Sequence, residues 1–107
     1  MKNLILIVLL SCSFATPASW SADFNKGVTA YQAGNYKAAL AEWRPLAQAG
    51  NARAQNFLGF MYDNGEGVLE DDLEAVKWYR LAAEQGNPKA QYGLGVMFAN
   101  GEGVTQS

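Results

Sequence analysis

The chain has 107 residues, half of them apolar, with a formal net charge of −2 and a single cysteine. This length allows at most one domain, and the apolar content excludes an intrinsically disordered chain. No basic stretch that could displace phosphate counterions occurs, and histidine is absent, so the composition argues against nucleic-acid binding and against imidazole chemistry.

Residues 1–22 have the pattern of a secretory signal peptide. Lys2 supplies the positive charge, and residues 4–10 form an apolar run that is far shorter than the roughly 20 residues needed to span a bilayer. Small residues suitable for cleavage follow, and we expect the cut near Ser21 or Ala22. The sequence therefore predicts no membrane-spanning helix and a periplasmic or secreted protein.

Cys12 lies inside this segment and leaves a second interpretation open. Residues 9–12 (Leu-Leu-Ser-Cys) are similar to the lipobox of bacterial lipoproteins, in which the cysteine becomes the site of a lipid anchor. If Cys12 is instead removed with the signal peptide, the mature chain has no thiol and no disulfide, and its stability must come from packing.

An internal repeat with an offset of 36 residues dominates the rest of the chain. Residues 51–68 align with residues 87–104, and more than half of the positions are identical. Such self-similarity is typical of repeat proteins built from one supersecondary unit. The shared residues are Asn51/Asn87, Ala54/Ala90, Gln55/Gln91, Leu58/Leu94, Gly59/Gly95, Met61/Met97 and the runs 64–68/100–104.

Each unit is predicted to be a pair of antiparallel helices. The Gly-Asn pairs at 50–51 and 86–87 indicate the end of one helix and the N-cap of the next. The glycine-rich residues 63–68 predict a turn, and a capping-box pattern at 71–74 predicts the start of the second helix. Gly59 lies inside the first helix, where glycine costs about 1 kcal/mol, so we expect a neighbouring helix to approach it closely.

The units follow one another from residue 23 to residue 107. Residues 23–50 form a diverged unit, residues 51–86 a complete repeat, and residues 87–107 a repeat whose second helix is not present in the sequence. We therefore expect an all-α fold with about five helices after the signal peptide.

The repeat resembles the Sel-one-like repeat, a relative of the tetratricopeptide repeat. The resemblance rests on A-x-x-x-L-G-x-x-Y from Ala54, on N-G-x-G-V from Asn64, and on A-x-x-W-Y-x-x-A-A-x-x-G from Ala75. It implies a right-handed α–α solenoid of helix hairpins and an adaptor whose concave face holds a protein or peptide partner. Fold alone does not determine function, so this remains an expectation by analogy.

Neither an enzyme nor a metal site is predicted. The acidic residues around the loop do not have EF-hand spacing, and Asp71 and Asp72 are explained as charges favoured at a helix N-terminus. No hydrolase motif of the G-x-S-x-G or S-x-x-K type follows residue 22. We expect no catalytic residue, cofactor or metal; the acidic residues considered are Asp63, Glu66, Glu70, Asp71 and Asp72.

The first helix of the complete repeat has a packing stripe formed by Ala54, Leu58, Met61 and Tyr62, which fall on one helical face. Candidate partner contacts are aromatic or apolar residues that lie outside this stripe and its repeat equivalent, or that belong to the last helix. Phe57, Phe60 and Tyr92 lie off the stripe. Leu94 and Phe98 belong to the stripe formed with Ala90 and Met97. In a complete repeat the second helix would cover one flank of this stripe, so we expect an exposed apolar patch through which the protein self-associates or engages its partner. The predicted function is an interaction adaptor or regulator in the bacterial envelope. The alternative is a remnant of a longer repeat array without independent activity.

Overall fold

A computed structural model of the protein describes residues 22–103, which form five α-helices and no β-strand. The helices are α1 (Phe24–Gln32), α2 (Tyr36–Gln48), α3 (Ala52–Asn64), α4 (Asp72–Glu84) and α5 (Pro88–Asn100). Each helix packs against the next, so α1–α2 and α3–α4 are hairpins and α5 stacks on α4. This confirms the predicted all-α fold of stacked helix hairpins.

Two predicted features fall outside the described residues. They are the signal peptide, apart from its last position, and Cys12 within it; residues 104–107 are also outside. Among the helices of residues 22–103, none combines the length and the apolar character that crossing a membrane requires.

The helices begin after Asp or Asn side chains that accept hydrogen bonds from backbone N–H groups of the first turn. The Ala54 amide donates to Asn51 Oδ1 and the Ala90 amide donates to Asn87 Oδ1, each at 2.9 Å. Such caps satisfy donors that have no partner within the helix. The two predicted asparagine caps are confirmed, and the other caps are Asp23, Asn35 and Asp71.

The first helix of the complete repeat is longer than predicted. Residues 63 and 64 were expected in the turn, but α3 continues to Asn64 and ends at Gly65. Gly65 has a φ of 68°, a left-handed conformation that glycine adopts without steric cost. The equivalent Gly101 ends α5 in the same way with a φ of 70°. The helix therefore stops where the backbone first turns left-handed.

The apolar core consists of two clusters that follow one another along the stack. Small alanines alternate with large side chains in both, which lets the helices approach closely. The first cluster lies mainly between α2 and α3 and contains Ala39, Trp43, Ala47, Ala54, Leu58, Met61 and Trp78. The second lies mainly between α4 and α5 and contains Ala75, Val76, Tyr79, Ala82, Ala90 and Met97.

In each hairpin an aromatic ring of the second helix lies on a glycine of the first. A Cβ atom on Gly59 would lie 2.6 Å from Cδ1 of Tyr79, and a Cβ atom on Gly27 would overlap the indole of Trp43. Both rings are buried. The expected close approach at Gly59 is confirmed, and it explains why a residue with poor helix propensity occupies that position.

The same rings also contact the first helix of the next hairpin. Trp43 stacks on Phe57 of α3, with ring centroids 4.3 Å apart and planes 20° apart. Tyr79 lies against Gly93 of α5, where a Cβ atom would be 2.9 Å from Cζ of the ring. Each ring therefore joins its own hairpin to the following one.

A glutamine amide repeats the same link between neighbouring hairpins. Gln55 Nε2 donates to the Ala47 carbonyl at 3.0 Å, and Gln91 Nε2 donates to the Ala83 carbonyl at 3.1 Å. These carbonyls lie at the ends of α2 and α4, where each also accepts a hydrogen bond from the backbone N–H of the glycine that follows the helix, Gly50 or Gly86. Gln85 Nε2 also donates to Gln55 Oε1 at 2.8 Å. The identity of residues 55 and 91 in the repeat thus has a direct structural reason.

Candidate protein-binding groove

A groove of about 690 Å³ runs along the face of the stack on which the first helices of the hairpins lie. Because consecutive helices are antiparallel, α1, α3 and α5 all run in the same direction. The groove lies chiefly between α3 and α5, with α1 at one side and the ring of Tyr79 from α4 between them. Its apolar lining residues are Tyr31, Phe57, Phe60, Tyr79, Tyr92 and Val96, and its polar ones include Asn56, Asp63 and Lys89.

Helical spacing explains why these residues face the groove together. On α3 the lining residues are spaced by one and two turns, at Asn56, Phe60 and Asp63. On α5 the corresponding spacing places Tyr92 and Val96 on the same face. Tyr92 is the repeat equivalent of Asn56, and Val96 is that of Phe60. The two helices therefore present equivalent positions to one surface.

Three of the five predicted contact residues meet in this groove. The side chain of Tyr92 is 76% exposed and that of Phe60 is 43% exposed, although both are large rings. Phe57 is half-buried, because it also stacks on Trp43 and packs near Phe24. Phe57 thus forms a supporting wall, and the more accessible rings are Phe60 and Tyr92.

The other two predicted contact residues lie outside the groove lining. Leu94 is half-buried against the second core cluster, and Phe98 is 37% exposed with the Arg80 guanidinium 5.7 Å from its ring centroid. The apolar stripe of α5 is covered in part, and its accessible members are Leu94 and Phe98. Ala90 and Met97 of that stripe are fully buried, because α4 packs against them.

The position equivalent to Gly59 is open on the last helix. No atom lies within 4 Å of the place where a Cβ on Gly95 would be, whereas the same place on Gly59 is filled by Tyr79. The faces of α3 and α5 therefore differ in what covers them, even though their glycines are repeat equivalents.

A tyrosine hydroxyl links the first hairpin to the loop after α3. Tyr31 Oη donates to Glu66 Oε1 at 2.7 Å. Burial raises the pKa of Tyr31, and the hydrogen bond to Glu66 raises it further. A tyrosine is neutral at pH 7 even with its ordinary pKa, so the raised pKa extends this hydrogen bond, and the support it gives to one wall of the groove, further into the alkaline range.

Three carboxylates meet at the end of the groove where α3 ends. Ligand oxygens of Asp63, Asp72 and Glu102 all lie within 4.8 Å of one another. Burial raises the pKa of Asp63, and the charges of Glu102, Asp72 and Glu70 raise it further. Groups of acidic side chains such as this one are common in proteins without a bound ion, so the three carboxylates do not by themselves indicate a metal site.

Sequence reasoning did not place Asn56, Lys89 or Val96 at the candidate site. A signal for two of them was present, since Asn56 and Val96 are the repeat equivalents of the predicted contacts Tyr92 and Phe60. Lys89 could not be found in that way, because its repeat equivalent, Arg53, was not a predicted contact. The guanidinium of Arg53 lies 4.0 Å from the centroid of the Phe24 ring.

Comparisons with known proteins give one consistent result. The family model described as Sel1 repeat matches residues 52–87 and 88–107. A crystal structure of a Sel1 repeat protein from Oxalobacter formigenes is 35% identical with a TM-score of 0.75; the match covers 79% of this chain and 35% of that chain. A protective antigen of uropathogenic Escherichia coli strains with an SLR fold is 38% identical with a TM-score of 0.73; the match covers 78% of this chain and 19% of that one. A comparison with curated proteins found no match.

The chain thus spans about a third and a fifth of the length of these two solved proteins. Both matches cover more than three quarters of this chain. The similarity therefore concerns the architecture of the stack.

Proposed function

Because this chain belongs to the Sel1 repeat family, we propose that it is a binding scaffold whose groove between α3 and α5 holds a segment of a partner protein. Sel1 repeat proteins generally mediate protein–protein interactions, and their fold is typically a non-enzymatic scaffold. The groove of this chain is the surface that suits such a role.

The observation that carries the proposal is the exposure of two aromatic rings inside a concave surface. Phe60 and Tyr92 are accessible, and both line the groove. Aromatic side chains in such positions dominate the energetics of many protein interfaces, because they bury a large area on binding at a small cost in conformational entropy. The apolar lining is therefore well suited to receive the side chains of another protein.

The support of the groove also favours binding. Tyr79 between Gly59 and Gly93 forms part of its floor, and Phe57 is held by its stacking on Trp43. A surface whose residues are already fixed by packing loses less conformational entropy when a partner binds. The floor and one wall of the groove are therefore fixed by packing before a partner binds.

We further propose that the protein acts in the bacterial envelope. This part of the proposal is supported by the sequence of residues 1–22, which has the charge, apolar run and small residues of a signal peptide. Removal near residue 21 or 22 gives a periplasmic or secreted protein, and lipidation of Cys12 gives a membrane-anchored one. In both cases the groove is available to envelope proteins.

Site-specific photo-crosslinking in living cells tests the binding role. A photoreactive residue in place of Tyr92 is expected to form adducts with an envelope protein, and the second change Phe60→Ser is expected to remove them. The matched control carries the photoreactive residue at Leu69, which is 90% exposed but outside the groove lining. Equal adducts from both positions, or none from position 92, would contradict the proposal.

A further inference from the structure

The two ends of the groove carry opposite charges. Lys89 lies in the first turn of α5, and Asp63 lies in the last turn of α3. Lys89 is the repeat equivalent of residue 53, which precedes Asp63 by ten residues. At a rise of 1.5 Å per residue, the two charged levels are about 15 Å apart along the parallel axes of α3 and α5.

The acidic end has no cation of its own. The ion pair found within residues 22–103 joins Lys77 to Glu74, and no basic side chain in that region pairs with Asp63. Asp63 lies instead with two further carboxylates whose oxygens are within 4.8 Å of one another. Like charges at this separation repel, and partial burial weakens the screening by water. A basic group placed at this end relieves the repulsion.

The middle of the groove is apolar. Phe60, Tyr92 and Val96 are all exposed between the two charged levels. Such a lining suits apolar side chains, and it also suits the aliphatic stem of lysine or arginine, whose charged head can interact with the face of an aromatic ring.

The distance between the two charged levels sets the length of a segment that contacts both. An extended chain covers 15 Å with about five residues at roughly 3.3 Å per residue. The groove thus matches a short extended segment.

We infer that the groove binds an extended peptide segment of about five residues with an acidic group at the Lys89 end, apolar side chains beside Phe60 and Tyr92, and a lysine or arginine at the Asp63 end. The inference rests on the proposed binding function and adds the chemistry and the orientation of the partner. The charged ends determine which way the segment lies, since the reversed orientation places like charges together at both ends.

A positional-scanning library of seven-residue peptides tests the inference with the purified protein in EDTA. The wild type is expected to select peptides in which an acidic and a basic residue flank apolar ones. Asp63→Asn should lose the preference for the basic residue and keep that for the acidic one, and Lys89→Gln should do the reverse. For the best peptide, Asp63→Asn should weaken binding about threefold to tenfold, consistent with a partly solvated charge pair.

A double-mutant cycle separates this pairing from a general effect of the substitution. Replacing the basic residue of the best peptide by norleucine should weaken binding to the wild type by a similar factor and leave binding to Asp63→Asn unchanged. Glu102→Gln is a second variant, because Glu102 belongs to the carboxylate cluster but is outside the groove lining, and it should have a smaller effect.

The possible failures are distinguishable. Suppose that peptides bind the wild type and not the Phe60→Ser/Tyr92→Ser variant. If these peptides show no preference for a basic residue, or if Asp63→Asn keeps that preference, the charge inference is wrong and the binding function stands. If peptides bind only when Ca²⁺ is added, the carboxylates serve a metal ion and the inference is wrong. If no peptide is selected, or if selection survives loss of both rings, the binding function and the inference both fail.

Discussion

The ring of Tyr79 lies so close to Gly59 that a methyl group on residue 59 would be 2.6 Å from Cδ1 and 2.9 Å from Cγ of the tyrosine. These are ring atoms near the backbone of a buried side chain, so they cannot move aside as the end of a flexible chain could. The repeat-equivalent Gly95 has no atom within 4 Å of the same place. One substitution at these two positions should therefore have opposite effects.

We expect Gly59→Ala to lower the free energy of unfolding by about 1–3 kcal/mol, because the clash with Tyr79 exceeds the gain in helix propensity. Gly95→Ala should raise it by about 0.5–1 kcal/mol, since only the propensity changes. Urea denaturation followed by circular dichroism measures both. A Gly59→Ala protein that is more stable than the wild type would show that Tyr79 does not constrain this position.

The glutamine links should differ in strength because their burial differs. Gln55 is 4% exposed and bridges the Ala47 carbonyl and Gln85, whereas Gln91 is exposed and makes one bond to the Ala83 carbonyl. We expect Gln55→Ala to cost about 1–3 kcal/mol and Gln91→Ala about 1 kcal/mol or less. The same denaturation experiment applies, and equal losses at both positions would contradict a role for burial.

The carboxylate cluster predicts a stability that depends on pH. Folding raises the pKa of Asp63, so this carboxyl group binds more protons in the folded state than in the unfolded one. The free energy of unfolding therefore falls as the pH rises from the unfolded-state pKa of about 3.9 through the higher folded-state pKa. Asp63→Asn removes this loss. We expect the variant to exceed the wild type by up to about 1 kcal/mol at pH 7 and to equal it at pH 3. A difference that does not change with pH would be inconsistent with the electrostatic cause.

The last helix carries a separate prediction about self-association. Leu94 and Phe98 are partly uncovered beside the open position of Gly95. We expect the protein to form dimers at tens of micromolar, the concentration range in which weak interfaces are occupied, and the Leu94→Glu/Phe98→Glu variant to remain monomeric. Analytical ultracentrifugation of both proteins decides the matter, and identical sedimentation would leave these residues without a role in association.

Export is tested by the N-terminus of the protein isolated from the envelope fraction. We expect it to begin near residue 22 or 23, since residues 1–22 have the features of a cleaved signal. N-terminal sequencing gives the answer directly. A protein that still begins at Met1 contradicts export by cleavage, and a diacylated Cys12 found by mass spectrometry supports the anchored alternative.

The repeated pattern of the sequence was sufficient to predict the helices and part of the groove lining. Asparagine caps and left-handed glycines act locally, and Phe60 and Tyr92 of the groove lining could be selected because they fall outside the packing stripe. The carboxylate cluster could not be predicted, because Glu102 reaches Asp72 only through the packing of the last loop on the start of α4. Burial of Met97 likewise depends on tertiary packing, because it is set by the side of α5 that faces α4.

The rings of Trp43 and Tyr79 have a consequence for how the protein loses its structure. Each ring contacts a glycine within its own hairpin and a residue of the next unit. When two neighbouring units separate, the ring loses its contact with the next unit, and the packing within its own hairpin is weakened as well. In a linear array, such nearest-neighbour terms make the units depend on one another. Heating should therefore melt the helices of residues 24–100 in one cooperative transition, without a population in which a single hairpin has peeled away.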